Sequence, residues 1–172
     1  MSAKFITIVS GVALFLTMVS TGNAAAAALT PLSMQYFCAN HRSECAASGT
    51  RQVGMTNNLM AVLKQVNSQI NRSIAPARDT GDVWSLNPTR GDCEDYVLSK
   101  RSALVRKGVP AGALRIAYTH TRSGAPHAVL VVKTSQGDYV LDNLSNSVKT
   151  LRASGYSIRS MSSSDPTRWT AS

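Results

Sequence analysis

Two helical patterns followed by three strand patterns constrain the fold of this chain more than any other feature. Apolar residues recur at three- and four-residue spacing from Met55 to Ile74, which is typical of an amphipathic helix that packs on a core. Thr56 or Asn57 can cap its start. A second helix is predicted from about Cys93 to Lys107. Lys100 is the one misfit on its apolar face, and we expect this side chain to snorkel toward solvent.

Three segments after the second helix have the composition and alternation of β-strands. They are Leu114 to Thr119, His127 to Lys133, and Asp138 to Leu141 or Asp142. A turn at 134–137 joins the last two, so this hairpin should pair positions whose numbers sum to about 271. Residues 31–52 read as a loop or short helices and 75–91 as a loop. The tail after residue 156 reads as irregular, with room for one more short strand.

The N-terminus has the pattern of an export signal. Lys4 precedes an apolar stretch from Phe5 to Val19, and a small-residue run from Ala24 to Ala28 follows. The apolar stretch is shorter than the ~20 residues of a membrane-spanning helix, so cleavage is favoured over a retained anchor. We predict a signal peptide over about residues 1–25, one domain over 26–172, and a periplasmic or secreted location.

The charge of the chain favours anionic partners. It has 18 Lys and Arg against 9 Asp and Glu, a formal net charge of +9. For an exported protein, such partners include anionic components of the cell envelope. The basic residues are scattered, without an aromatic-rich recognition stretch, so we expect no nucleic-acid binding. The alternative is a solvated basic surface with no partner.

Three cysteines in an exported chain leave one unpaired. Cys38 and Cys45 lie seven positions apart in a polar, turn-prone segment, and a local disulfide is the simplest assignment. A metal site of Cys38, His41 and Cys45 would have only three ligands, whereas a closed structural zinc site needs four. Either assignment leaves Cys93 free.

Cys93, His127 and Asp142 can form a nucleophilic constellation. Cys93 opens the second helix, where unpaired backbone amides lower a thiol pKa and can hold an oxyanion. The hairpin register places Asp142 opposite Val129, on the same side as His127 and within the ~7–8 Å of a diagonal pair. This arrangement predicts a nucleophile, a base and a residue that orients the base. Taken singly, each residue could be structural: a packed Cys, a surface His or a turn-starting Asp.

Several segments together resemble the bacterial transglutaminase-like cysteine proteinases. The Gly-Asp-Cys-Glu-Asp motif with a downstream Leu-Asp-Asn is a specific pairing, and the resemblance extends over about residues 36–156. The segments that carry it are Arg90 to Tyr96, Leu114 to Ile116, Pro126 to Leu130 and Val140 to Leu144.

The resemblance implies an α+β fold of the papain and transglutaminase type. N-terminal helices, including the helix that bears the Cys, would pack on an antiparallel sheet that bears the His and Asp. The helices-then-strands order of this chain agrees with that arrangement. It gives Cys93, His127 and Asp142 the roles of the triad. By analogy, Trp84 in the preceding loop would line the acyl-binding pocket, although a core-filling Trp fits equally well.

Better-studied relatives are periplasmic proteases that release surface adhesins and need calcium, bound by acidic residues beside the Cys. The matching positions here are Asp92 and Glu94, with Asp95 nearby. A hard cation would neutralise carboxylates that otherwise oppose thiolate formation. Alternatively, these residues cap the helix and pair with Arg90 or Arg101. The chain is shorter than those relatives and lacks an extra acidic residue after Trp84, so the calcium prediction rests on fewer residues than the triad.

The predicted function is therefore hydrolysis of a protein by an exported cysteine peptidase, with no cofactor required for the chemistry itself. The substrate would be a surface or envelope protein, the enzyme a monomer, and family resemblance suggests a regulatory partner in the membrane. Amide hydrolysis or acyl transfer on cell-wall peptide would use the same triad. A noncatalytic periplasmic binding or assembly module, and a dimer linked through Cys93, are the rival hypotheses.

Overall fold

The computed structural model describes residues 26–46, 49–78 and 81–172. The predicted signal peptide, residues 1–25, lies outside the described residues. No helix within those three ranges has the length and apolar character needed to cross a membrane.

The described chain begins with short elements, continues with two long helices and ends with a run of strands. The helices are α1 (Leu32–Asn40), α2 (Asn57–Ser73), α3 (Cys93–Arg106) and α4 (Leu151–Ser154), with 3-10 turns at Arg42–Cys45 and Ala111–Ala113. The strands are β1 (Ala27–Ala28), β2 (Ala75–Pro76), β3 (Arg90–Gly91), β4 (Leu114–His120), β5 (Pro126–Thr134), β6 (Gly137–Asp142), β7 (Ser145–Thr150), β8 (Ser160–Ser162) and β9 (Trp169–Ala171).

One seven-stranded antiparallel sheet forms the body of the structure, in the order β1-β9-β8-β4-β5-β6-β7. In the central hairpin, Leu130 pairs with Leu141 and Val131 with Val140, which is the predicted register. A separate two-stranded parallel pair, β2 with β3, closes the loop that was predicted to lack regular structure.

The sheet has a buried core on each of its faces. On one face α2 and α3 cover alternate residues of the strands, including Ile116, Leu130 and Leu141, which are fully buried. On the other face a smaller cluster contains Val129, Val131 and Val140. Because successive strand residues point to opposite faces, His127 and Asp142 belong to the face of the smaller cluster.

Local signals explain where the two long helices begin. The side chain of Thr56 accepts a hydrogen bond from the Leu59 amide (3.0 Å), so Thr56 is the predicted cap of α2. Helix α3 begins at Cys93, as predicted. The prediction for Lys100 is wrong: this side chain is fully buried, because α2 and the sheet enclose the middle of α3.

The disulfide joins Cys38 and Cys45, whose Cα atoms are 5.5 Å apart. It fixes the end of α1 to the following 3-10 turn. Glu44 in that turn accepts a hydrogen bond from Ser102 (2.8 Å) and is 3.9 Å from the Arg101 guanidinium. The turn is thereby held against α3. Arg101 pairs with Glu44 in this structure.

The tail contains more strand than its sequence pattern indicated. β8 and β9 form a hairpin on β4, and β9 pairs in turn with β1 near the start of the described chain. Trp169 in β9 is buried against Tyr118, with ring centroids 5.5 Å apart. β7 was also missed, because its sequence is mostly polar and it lies at the edge of the sheet.

Candidate active site

Gly91 and Asp95 shape the backbone just before Cys93. A Cβ atom at Gly91 would overlap the carboxylate of Asp95, so only glycine fits there. That carboxylate accepts hydrogen bonds from the amides of Asp92 (3.2 Å) and Ser85 (2.7 Å). Asp95 therefore closes the first turn of α3 and holds the preceding loop, which fixes the backbone that presents Cys93. The Gly-Asp-Cys-Glu-Asp motif is explained in part by this packing.

The thiol of Cys93 is half-buried and lies between a carboxylate and a strand. Its Sγ is 2.9 Å from Oε2 of Glu94, and the backbone N–H of Ala128 also contacts it. Burial and the negative charge of Glu94 raise the pKa of Cys93, and the Ala128 amide opposes that rise only in part. In this arrangement the thiol is neutral and donates its proton to Glu94.

His127 and Asp142 form a buried pair at the ends of β5 and β6. Nε2 of His127 is 2.9 Å from Oδ1 of Asp142, and the two side chains are 4% and 9% exposed. The hairpin register explains the pairing, since it places the two residues diagonally on one face of the sheet. With Nε2 engaged by the carboxylate, Nδ1 is the ring nitrogen left to take up a proton.

Asp142 accepts hydrogen bonds from three donors. Besides His127, these are the hydroxyl of Tyr156 (2.6 Å, to Oδ2) and the amide of Leu144 (2.9 Å, to Oδ1). Burial acts to raise the pKa of Asp142, but the three hydrogen bonds outweigh it and lower the pKa below the ordinary value. The carboxylate therefore stays ionised beside the imidazole. The ring of Tyr156 lies 5.8 Å from that of His127, so one tyrosine contacts both members of the pair.

The structure brings Cys93 to the start of β5 without joining it to His127. Cys93 contacts the amide of Ala128, the residue that follows His127. Within the described residues, no hydrogen bond links the thiol to the imidazole. The thiol instead faces Glu94.

Trp84 lies in the core next to this site. Its indole donates a hydrogen bond to Asp82 (3.1 Å) and packs edge-on against Tyr118, with ring centroids 6.3 Å apart. Tyr118 in turn hydrogen-bonds to Glu94, the carboxylate that holds the Cys93 thiol. Trp84 is only 6% exposed, so packing explains its burial, and a role in lining the acyl pocket stays a prediction.

Sequence patterns gave no sign of Tyr118 and Tyr156 as neighbours of the site. Tyr118 fitted the alternation of β4, but no spacing linked it to a residue at the start of α3. Tyr156 comes from a segment without periodicity, after α4, and reaches Asp142 only because that segment folds back over β6. Both contacts depend on tertiary packing.

The acidic residues beside Cys93 do not form a ready calcium site. The described residues contain no group of three or more His, Cys, Asp or Glu side chains arranged to hold a metal ion. Both oxygens of Asp95 already accept backbone amides, and Glu94 accepts from the thiol and from Tyr118. This agrees with the capping alternative. Calcium binding at Asp92 and Glu94 stays a prediction.

Comparison with known proteins gives a family and a set of related structures. The family described as "Bacterial transglutaminase-like cysteine proteinase BTLCP" matches residues 24–172. No protein in a search of curated proteins matches the chain.

The related structures include LapG from Legionella pneumophila. Calcium-bound LapG has 27% sequence identity and a TM-score of 0.54, with 60% of this chain and 64% of that chain covered. EGTA-treated LapG has 26% identity and a TM-score of 0.51, with 60% and 62% covered. This chain therefore spans less than two thirds of the length of either LapG chain.

The related structures and the described architecture agree on the fold. It is α+β, with α2 and α3 packed on an antiparallel sheet as in LapG, a transglutaminase-like protease fold. The family covers most of the chain, including all of the elements that hold Cys93, His127 and Asp142. The chain belongs to the bacterial transglutaminase-like cysteine proteinase family.

Proposed function

We propose that this chain is an active cysteine peptidase that hydrolyses a protein through Cys93, His127 and Asp142. The observation that carries the proposal is the buried 2.9 Å hydrogen bond between His127 and Asp142, one residue from the amide that touches Cys93. A structural role alone does not require a histidine paired to an ionised carboxylate beside a free cysteine at a helix N-terminus. Family membership supports the same activity.

The chemistry follows from the roles of the three groups. The Cys93 thiol gives its proton to Nδ1 of His127, and the sulfur adds to the carbonyl carbon of the scissile peptide bond. Asp142 stabilises the imidazolium through Nε2. The imidazolium then protonates the leaving amine as the C–N bond breaks, which leaves a thioester. Water, deprotonated by His127, hydrolyses the thioester and restores the thiol.

The negative charge that develops on the carbonyl oxygen needs hydrogen-bond donors. The N-terminal turn of α3 presents backbone amides at Cys93, and the Ala128 amide already points at the sulfur. These amides are suited to the oxyanion, because preorganised donors in a water-poor site stabilise it strongly. The step requires the Cys93 side chain to leave Glu94 first.

The first test is enzymatic and uses the mature domain. Cys93→Ala, His127→Ala and Asp142→Asn should each lower kcat on a protein substrate by a factor of about 100 or more. His41→Ala is the matched control, since His41 is exposed and does not line the cavity that Asp142 and Tyr156 share. If wild type cleaves nothing across a panel of envelope proteins, or if His127→Ala cleaves as well as wild type, the peptidase proposal fails.

One observation favours a second candidate. The thiol of Cys93 is held neutral by Glu94, as a noncatalytic binding or assembly module would allow. That module predicts an unreactive Cys93 and no effect of Cys93→Ala in the cell. Alkylation of Cys93 by iodoacetamide separates the two. A rate that falls when His127 is replaced supports the peptidase, and a negligible rate in both proteins supports the module.

The remaining parts of the proposal concern where the enzyme works and what it needs. We propose export followed by action in the periplasm or outside the cell, an envelope or surface protein as substrate, and a monomeric enzyme. Cell-wall peptide is the alternative substrate for the same triad. Calcium is the candidate accessory ion, and calorimetric titration of wild type beside Asp92→Asn would detect it.

A further inference from the structure

We infer that a cavity on the side of the molecule where β1 meets β9 is a binding site for a phosphate group. The cavity has a volume of about 880 Å³ and contains none of Cys93, His127 and Asp142. Its walls come from β1, residues Gly49 and Arg51, the start of β4 and the β8–β9 hairpin. The inference does not depend on the proposed peptidase activity.

Arg115 is the central observation. It lines the cavity from β4 and is only 8% exposed. Its Nη1 atom is buried and has no hydrogen-bond partner among the described residues. Its Nη2 atom reaches only the backbone oxygen of Arg51, at 3.4 Å. Removing a guanidinium from water while one of its donors has no partner is costly, so a buried guanidinium normally has an anion beside it.

The electrostatic surroundings of Arg115 also favour an anionic ligand. Burial lowers the pKa of Arg115, and the positive charge of Arg51, which also lines the cavity, lowers it further. Two arginines placed together repel each other unless an anion lies between them. Arg51 forms no ion pair within the described ranges.

The acidic residues nearby are committed to other partners. Asp165 is the one carboxylate among the described cavity residues, and it pairs with Arg168 at 3.6 Å and accepts from the amide and hydroxyl of Thr167. Asp138 attracts Arg115 from outside the cavity but forms a 2.6 Å ion pair with Lys133. The lining of the cavity therefore keeps an excess of positive charge.

Phosphate fits this lining better than a neutral ligand does. A guanidinium presents a planar fork of donors that matches two phosphate oxygens, and two guanidinium groups match its charge. Ser164 adds a hydroxyl to the same walls. The cavity is open to solvent and large enough for a phosphate ester. The ester could be a free phosphomonoester or the headgroup of an anionic phospholipid, since both present at least two non-bridging phosphate oxygens to the fork of a guanidinium.

The experiment measures phosphate binding by the mature domain and its variants. Isothermal titration with inorganic phosphate and with glycerol phosphate should give saturable binding to wild type. Arg115→Gln and Arg51→Ala should each weaken it about tenfold or more. The matched control is Arg122→Ala, which removes the same charge from an exposed loop outside the cavity. Arg51 is exposed, so its variant tests the site even if Arg115→Gln fails to fold.

The phosphate site would be overturned if wild type showed no saturable binding. It would also be overturned if Arg51→Ala and Arg122→Ala weakened binding equally, because that would mean a general effect of net charge. Flotation with vesicles of phosphatidylglycerol or phosphatidylcholine then separates the sources. Binding to phosphatidylglycerol vesicles that glycerol phosphate competes away identifies a lipid headgroup. Binding of glycerol phosphate without vesicle binding identifies a soluble phosphate ester.

Discussion

Glu94 lies against the thiol that we propose as the nucleophile, and its charge opposes formation of the thiolate. Glu94→Gln removes that charge while keeping the size of the side chain. We expect the pKa of Cys93 to fall and its alkylation by iodoacetamide at neutral pH to accelerate several-fold. The measurement is the rate of alkylation against pH, in buffer with a chelator so that divalent cations play no part. Asp138→Asn, a charge removal at the distant Lys133 pair, should leave the rate unchanged; an equal effect would contradict the local explanation.

Tyr156 provides a second test at the scale of single residues. Its hydroxyl is one of three donors that lower the pKa of Asp142, so this carboxylate contributes stability above its ordinary pKa and loses it as pH falls through the folded pKa. Tyr156→Phe should reduce the free energy of unfolding by about 1.5–3 kcal/mol at pH 7. The difference from wild type should shrink below about pH 4.

Urea unfolding at several pH values measures this effect of Tyr156→Phe. Tyr36→Phe is the control, because Tyr36 is 70% exposed and far from Asp142 in the chain. A loss of stability that is the same at every pH would mean that the hydroxyl acts on packing and not on the carboxylate. The proposed role of Tyr156 also predicts a lower kcat with little change in KM, since Tyr156 touches the residue that orients the base.

Helix α3 carries a buried cation as well as the proposed nucleophile. Lys100 has no exposed surface, its Nζ has no hydrogen-bond partner within the described chain, and it lies 5.6 Å from the centre of the Tyr96 ring. Burial lowers the pKa of Lys100 to about 7, against an opposing attraction from Asp142. Below pH 7, Lys100 is charged in the folded state and in the unfolded state. Above it, the folded state loses the proton while the unfolded chain keeps it until about 10.5.

Between about pH 7 and 10.5 the unfolded state binds one more proton at Lys100 than the folded state does. The free energy of unfolding therefore rises with pH in this range, as the cost of burying the charged ammonium disappears. Lys100→Met should raise the free energy of unfolding by about 1–4 kcal/mol at pH 6, with a smaller gain at pH 9. Urea unfolding at the two pH values checks this. Lys64→Met, at an exposed position on α2, should show no such pH dependence. If Lys100→Met is destabilising at pH 6, the ammonium has partners that the described residues do not reveal.

The elements differ in how far the sequence could predict them. α2 has strong apolar periodicity, α3 has clear end signals, and the β5–β6 hairpin is bounded by a short turn, so their positions and register could be read directly. The pairing of His127 with Asp142 follows from that register. β8 and β9 are only three residues each, too short to show an alternation, and β7 alternates weakly, so only packing on β4 and β6 defines them. Lys100 was misplaced because its enclosure depends on three elements at once.

At the scale of the whole molecule, the C-terminal strand supports the site from a distance. Trp169 in β9 packs on Tyr118, and Tyr118 hydrogen-bonds to Glu94 beside Cys93. The indole of Trp169 also donates to the backbone oxygen of Pro166 (2.9 Å), and the side chain is 3% exposed. A series of side-chain contacts thus runs from β9 to the start of α3, through residues that sequence patterns did not connect.

Trp169→Ala should therefore destabilise the whole domain by about 3–5 kcal/mol, because it removes a buried aromatic ring and leaves a cavity against Tyr118. Trp169→Phe keeps most of the apolar area and should lose clearly less. Urea unfolding measures both, with Leu32→Ala as the control, since Leu32 is 80% exposed and its loss should change stability by less than about 0.5 kcal/mol. If Trp169→Ala is as mild as the control, β9 is peripheral to the core. In that case Tyr118 and Glu94 must be held by α3 and β4 alone.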